Sequence, residues 1–215
     1  MNIMHPRKKE RFASYSHLFG LVLALTGGIV LIILSKDDLA TLSVVIIYTI
    51  CMCFMFTAST LYHASKKTDN DQSFWRKLDH IAIYFMIAGS YTIMSFLYLD
   101  GNFRIAIISL QWIFASVGTV FKIFTINVPS WIDVGIYLVM GWMIAVRMDY
   151  MIREFPIRIF VLVLLGGLAY TIGAILHALN KPFPIPNKFE FHDIFHVLII
   201  GGAGFHYMAV LYALI

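Results

Sequence analysis

The feature that most constrains this chain is a series of seven long apolar stretches, at about residues 17–34, 39–63, 78–99, 105–124, 128–146, 157–179 and 191–215. The hydrocarbon core of a bilayer is about 30 Å thick and takes about 20 apolar residues per helical crossing, so each stretch is long enough to span it. With 60% hydrophobic and 13% charged residues and a mean hydropathy of +0.81, the chain lies outside the range of soluble domains. The stretches lack the alternation of lipid-facing and lumen-facing residues that barrel strands need, which excludes a membrane β-barrel. The expected fold is an all-α membrane protein, a seven-transmembrane helix bundle. Residues 1–16 form an N-terminal segment and residues 17–215 the membrane domain. The linkers are short, and neither a low-complexity segment nor an internal repeat stands out.

Basic Arg7-Lys8-Lys9 precedes the first stretch in the manner of a signal peptide. Six further spans and the lack of a small-residue cleavage site lead to the expectation that it is retained. With the N-terminus in the cytoplasm, eleven Lys and Arg fall on the inner side (Arg7, Lys8, Lys9, Arg11, Lys66, Lys67, Arg76, Lys77, Lys122, Lys181 and Lys188). The outer side holds five: Lys36, Arg104, Arg147, Arg153 and Arg158. The positive-inside rule therefore favours a cytoplasmic N-terminus and an extracytoplasmic C-terminus. The net charge of +4 is accounted for by anionic headgroups, so membrane lipids are the expected partners, with no nucleic-acid or protein partner indicated.

Ionisable residues in a membrane are costly and mark candidate functional positions. In this orientation six of the eight histidines (His17, His63, His80, His177, His192 and His196) lie toward cytoplasmic helix ends. His5 is in the tail and His206 is about 15 Å deeper along the last helix than His196. In His192-Asp193-Ile194-Phe195-His196 two imidazoles at i and i+4 share a helix face and can hold one metal ion. His63 ends the second span at the same level, Ser59 lies one turn before it, and Asp79 brings a carboxylate back at the start of the third. Three neutral imidazoles leave a fourth position open for water, the arrangement of a catalytic zinc site, with an acidic neighbour to orient that water or take its proton.

The blander readings compete at each position. An i, i+4 histidine pair also arises from packing or interfacial hydrogen bonding, and His80 is expected to support the site or simply pack. His177 either supports the site or, as a helix C-terminal histidine, faces headgroups, and His206 suits a hydrogen-bonded packing role. Glu10 and His17, seven residues apart, are either a lid over the site or part of an amphipathic surface segment. Cys51 and Cys53 project from different helix faces and read as small apolar fillers. The pairs Gly27-Gly28, Gly166-Gly167 and Gly201-Gly202 suit close helix approach. Pro182, Pro184 and Pro186 stiffen the loop before His192, and Trp and Tyr near span ends read as interface anchors.

Four segments together resemble the hemolysin III branch of the progestin and adipoQ receptor family. They are Glu10 through Ser16-His17, Ser59-Thr60-Leu61-Tyr62-His63, Leu78-Asp79-His80, and His192 to His196 continuing to His206-Tyr207. The resemblance covers nearly the whole chain from Glu10. In that family, and in the superfamily that includes alkaline ceramidases, a serine, an aspartate and three histidines build a zinc site near the cytoplasmic face. The resemblance thus implies Zn2+ held by His63, His192 and His196, with Asp79 and Ser59 as catalytic residues. One departure is Ala13, where the family's first motif usually has Asn.

The implied activity is zinc-dependent hydrolysis of a lipid amide or ester. The alternative is a non-catalytic, zinc-stabilised regulator or sensor of membrane lipid state. A cytolysin is disfavoured because seven apolar spans leave no soluble form. A transporter is disfavoured because the ionisable groups gather at one face instead of tracing a path across the membrane.

Overall fold

The computed structural model describes residues 6–69, 71–125, 127–179 and 190–215. A 3-10 turn, Lys8–Glu10, leads into α1 (Arg11–Ser35), followed by α2 (Leu39–Ser65), α3 (Phe74–Tyr98) and α4 (Gly101–Phe124). Then come α5 (Ser130–Gly141), a 3-10 segment Met143–Arg147, α6 (Met148–Glu154), α7 (Ile157–Leu179) and α8 (Phe191–Leu214). Among the described residues, seven segments are long and apolar enough to cross a membrane, the fifth running Ser130–Glu154 through α5 and α6. Their outward faces carry exposed Leu, Ile, Val and Phe, for example Leu23, Ile33, Val117 and Ile172. In water such a surface would be a liability; against lipid tails it is the required solvent match.

Helix starts are written locally. The Asp38 carboxylate accepts from the backbone N–H of Ala40 and Thr41 at 3.1 and 3.3 Å, and Ser73 accepts from Arg76 at 3.4 Å. At α8 a reciprocal capping box joins Glu190 and Asp193, with the Glu190 N–H donating to Asp193 at 2.9 Å. This cap sets where the first turn of α8 begins and hence where His192 and His196 point.

Helices α1 to α4 pack in sequence, as do α7 and α8, while α5 rests on α7 and α3; α8 closes the bundle against α1, and α3 is the most enclosed, touching α2, α4, α5 and α8. The core between α2, α3 and α8 is built on Tyr48, Met52, Phe56, Ala82, Met86 and Val210. Close approach of α7 and α8 depends on Gly166, where an added Cβ would lie 2.2 Å from the His206 ring. His206 in turn hydrogen-bonds to the Val163 carbonyl at 3.2 Å, a packing role.

Two spans differ from the hydropathy reading. The first helix begins at Arg11 rather than near His17, which draws part of the N-terminal segment into the bundle and buries Glu10, Ala13 and Ser14. The fifth is not one continuous helix over 128–146. It breaks after Gly141 and resumes to Glu154. Backbone groups freed by such a break must be satisfied inside the protein. Tyr91 donates to the Gly141 carbonyl at 2.7 Å and accepts from the Ile144 N–H at 3.1 Å, while Gln111 donates to the Met140 carbonyl at 2.9 Å. Pro182, Pro184 and Pro186 lie outside the described residues, as does His5.

Gly166→Ala is expected to force His206 off its carbonyl and to cost about 1–3 kcal/mol. Gly167→Ala, whose nearest neighbour would be 4.0 Å away, should be neutral. Thermal unfolding of the two variants in the same detergent checks this, and equal midpoints would remove Gly166 as a packing determinant.

Candidate metal centre

The last turn of α2 and the first two turns of α8 meet at one end of the bundle, and their histidines meet there. His63, His192 and His196 each present a ring nitrogen, and these three atoms lie within 4.8 Å of one another. The Nε2 atoms of His192 and His196 are 3.1 Å apart. The His63 ring centroid is 5.0 Å from that of His192 and 4.7 Å from that of His196. His63 and His196 are each only 1% exposed, so the nitrogens converge in a site shielded from bulk water.

The second ring nitrogens of His63 and His196 also have partners. His63 Nδ1 lies 2.7 Å from Glu10 Oε2, and a carboxylate there places the proton on Nδ1 and leaves the Nε2 lone pair free. Glu10, itself buried, also pairs with Lys66 Nζ and Arg7 Nη2, both at 3.0 Å. His196 Nδ1 is 2.8 Å from His17 Nε2. With Nδ1–H donating to His17, His196 too turns an Nε2 lone pair toward the shared centre. A pair of ligands with fixed tautomers, a third imidazole beside them and a low-dielectric surround match the donor set of a borderline-soft divalent ion.

Glu10 and His17 are thus neither a lid nor a surface strip. They stand behind the three convergent histidines, on an α1 that docks on α2 through Ser14 Oγ donating to the Thr60 carbonyl at 3.3 Å. Ala13, at the position of the family's Asn, is fully buried in the same stretch. His177 does not face headgroups alone: its ring is 5.5 Å from His192 and 4.8 Å from Phe195.

Ser59, one turn before His63 and 3% exposed, and Asp79, half-buried at the start of α3, line the same cavity as the three histidines. That cavity has a volume of about 680 Å³ and runs from a charged mouth at Lys9, Arg76 and Glu190 to an apolar far end at Leu99, Phe155 and Val210. At the mouth Asp69, in the loop after α2, pairs with Lys9 and Arg7, whose hydrogen bonds hold its carboxyl below the usual range.

The sequence reading did not foresee a buried ion pair. Lys122, at the end of α4, is fully buried against Asp133 of α5, with Nζ 2.5 Å from Oδ1. Lys122 had looked like an ordinary interface charge. The available signal was an Asp placed one helical turn into the next span, at the same membrane level as that Lys.

Glu10→Gln keeps an oxygen facing His63 but removes the charge that fixes its ring. Metal affinity should fall about 10–100-fold, read by competition with a chelating dye, while the far-UV spectrum stays unchanged. Undiminished affinity would detach Glu10 from the centre.

Comparison with known proteins places the chain in a family. Residues 5–207 match the family described as Haemolysin-III related. Hemolysin-3 of Bacillus cereus is 31% identical over 208 residues, covering 95% of this chain and 91% of the relative. The Hemolysin-3 homolog of Bacillus subtilis is 30% identical over 210 residues, covering 95% and 94%. The human monocyte to macrophage differentiation factor is 26% identical over 200 residues, covering 91% and 80%. With seven apolar helices and a family match over nearly its whole length, this chain belongs to the Haemolysin-III related family of multi-pass integral proteins of the cell membrane.

Proposed function

We propose that the protein is a zinc-dependent hydrolase of a lipid amide or ester, acting at the cytoplasmic face of the membrane. The observation that carries this reading is that three convergent histidines share one cavity with a carboxylate and a hydroxyl, and that the cavity continues into an apolar channel. A volume of about 680 Å³ falls within the range of small-molecule sites, about 300–1,000 Å³. The excess of Lys and Arg at the site's end of the bundle supports a cytoplasmic location.

His63, His192 and His196 would hold the ion, with Glu10 and His17 fixing the rings of His63 and His196. Bound zinc supplies Lewis acidity, lowering the pKa of water and polarising a carbonyl. Asp79 would take the proton released as water attacks the acyl carbon and return it to the leaving amine or alcohol as the C–N or C–O bond breaks, freeing a fatty acid. Ser59 donates a hydrogen bond to the oxygen on which negative charge develops. The apolar walls near Met94, Leu99 and Phe155 take the acyl chain and keep bulk water from the reacting carbon.

The second reading, a zinc-stabilised regulator or sensor, has its own support. The histidine cluster and its partners tie α1, α2 and α8 together, so the same ion would also staple the fold. Relatives carry the name Hemolysin-3, but a lipid-facing surface studded with exposed Leu, Ile and Phe fits a resident membrane protein better than a secreted pore-former.

Purified protein should contain about one zinc per chain, and His196→Ala should lose it. Asp79→Asn should retain the metal yet lower turnover of a long-chain amide or ester about 10²–10⁴-fold. Zinc-loaded wild type that hydrolyses none of the ceramide, lysophospholipid and acyl-ester substrates offered to it would favour the regulator.

A further inference from the structure

The cavity has a second polar wall across from the histidine cluster. His80 of α3 and Ser130, Asp133 and Tyr137 of α5 line it. Asp133, 5% exposed, lies between two cations or donors, with Oδ1 2.5 Å from Lys122 Nζ and Oδ2 3.3 Å from His80 Nδ1. Tyr137 donates from its hydroxyl to the His80 carbonyl at 3.2 Å, pinning the backbone that carries the ring. Three helices therefore contribute to one buried cluster at the end of the bundle that also holds the metal-facing histidines.

Fold stability does not explain such a group. Taking a Lys–Asp pair out of water costs about as much as its attraction returns, and an apolar pair of equal volume serves as well. Intramembrane ionisable residues persist where they act on something. The contacts are also incomplete. Lys122 Nζ and Asp133 Oδ1 sit at ion-pair distance without a well-directed hydrogen bond, and His80 Nδ1 is held beside Asp133 Oδ2 by charge and proximity alone. Hydrogen-bonding capacity is left over in a buried place beside a cavity, which suits a ligand group or the water it displaces.

The direction of His80 narrows the ligand. A carboxylate beside Nδ1 keeps the proton on that nitrogen, and the imidazole ring then carries its lone pair on Nε2, at the opposite edge. Lys122 balances the Asp133 charge, so the cluster offers the cavity an acceptor and no net negative charge. We infer that His80 is a headgroup subsite that accepts a hydrogen bond from a hydroxyl of the lipid, selecting hydroxyl-bearing lipids over those with a bare or methyl-capped headgroup. Asp133 and Lys122 are positioning residues that hold the ring. This deepens the hydrolase reading and rests on it for the identity of the bond cleaved, but binding at the subsite is measurable without turnover.

The probes are two hydrolysis-resistant ethers, 2-(hexadecyloxy)ethanol and 1-ethoxyhexadecane, which share a chain and differ by a terminal hydroxyl. Their dissociation constants for zinc-loaded protein in detergent are read by tryptophan quenching, Trp142 lining the cavity, and corrected for partition into micelles. The wild type should prefer the alcohol about tenfold, the size of one added hydrogen bond, and His80→Phe should bring the ratio to unity. Lys122→Met with Asp133→Leu replaces the pair by apolar groups, leaves the ring unheld and should also shrink the preference, which covers the case in which His80→Phe does not fold. A wild-type ratio near one, or a tenfold ratio that survives either replacement, overturns the subsite. Absence of hydrolysis with the preference intact would instead reject the hydrolase reading and leave the subsite standing.

Discussion

A carboxylate buried behind a histidine organises one end of this bundle. Glu10 sits within a turn of the start of α1, and its two oxygens hold the His63 ring on α2 and the Lys66 and Arg7 cations. Seven residues on, His17 does the equivalent for His196 of α8. Both contacts exist only because α1 begins at Arg11 and lies flush against α2 and α8. In a medium where no water can satisfy a stray imidazole or carboxylate, these partners are obligatory, and the three helices are held in register by polar groups that would otherwise push them apart.

The same constraint shapes the fifth span. A helix that breaks in a membrane survives only where neighbours take over its backbone hydrogen bonds, and Tyr91 and Gln111 do that from α3 and α4. The break leaves α5 short and α6 turned, and the space between them and α3 becomes part of the cavity lining, including Trp142, Ile144 and Met148. Lys122 and Asp133 close the other end of α5. α5 is thus fastened at both ends by polar contacts, and the cavity it borders extends past the histidines toward Phe155.

Much of this was legible without coordinates, because a bilayer imposes so narrow a solution. Apolar runs of the right length had to be helices, and their number with their flanking charges set which ends share a level. His192 and His196 at i and i+4, with His63 closing another span at that level, were enough to name the cluster, and the family motifs named the same residues. Partner choice was less legible. Glu10 and His17 were recognisable as a pair on one face, but whether that face pointed to lipid, to solvent or to the convergent histidines depended on where α1 began and how it rotated. Lys122 was harder still, since a basic residue at a span end looks the same whether it snorkels to headgroups or turns inward to an aspartate.

The sequence by itself therefore determined the solvent, the number of crossings and the level at which the ionisable groups gather, because hydropathy and helical rise are local properties of the chain. Tertiary structure decided the contacts made at that level: Glu10 on His63, His17 on His196, Asp133 between Lys122 and His80, and the Tyr91 support beneath the broken fifth span. Those pairings depend on helix rotation and on distances between segments remote in sequence. In a medium that cannot solvate an unpaired charge, the bundle had to resolve each of them by packing.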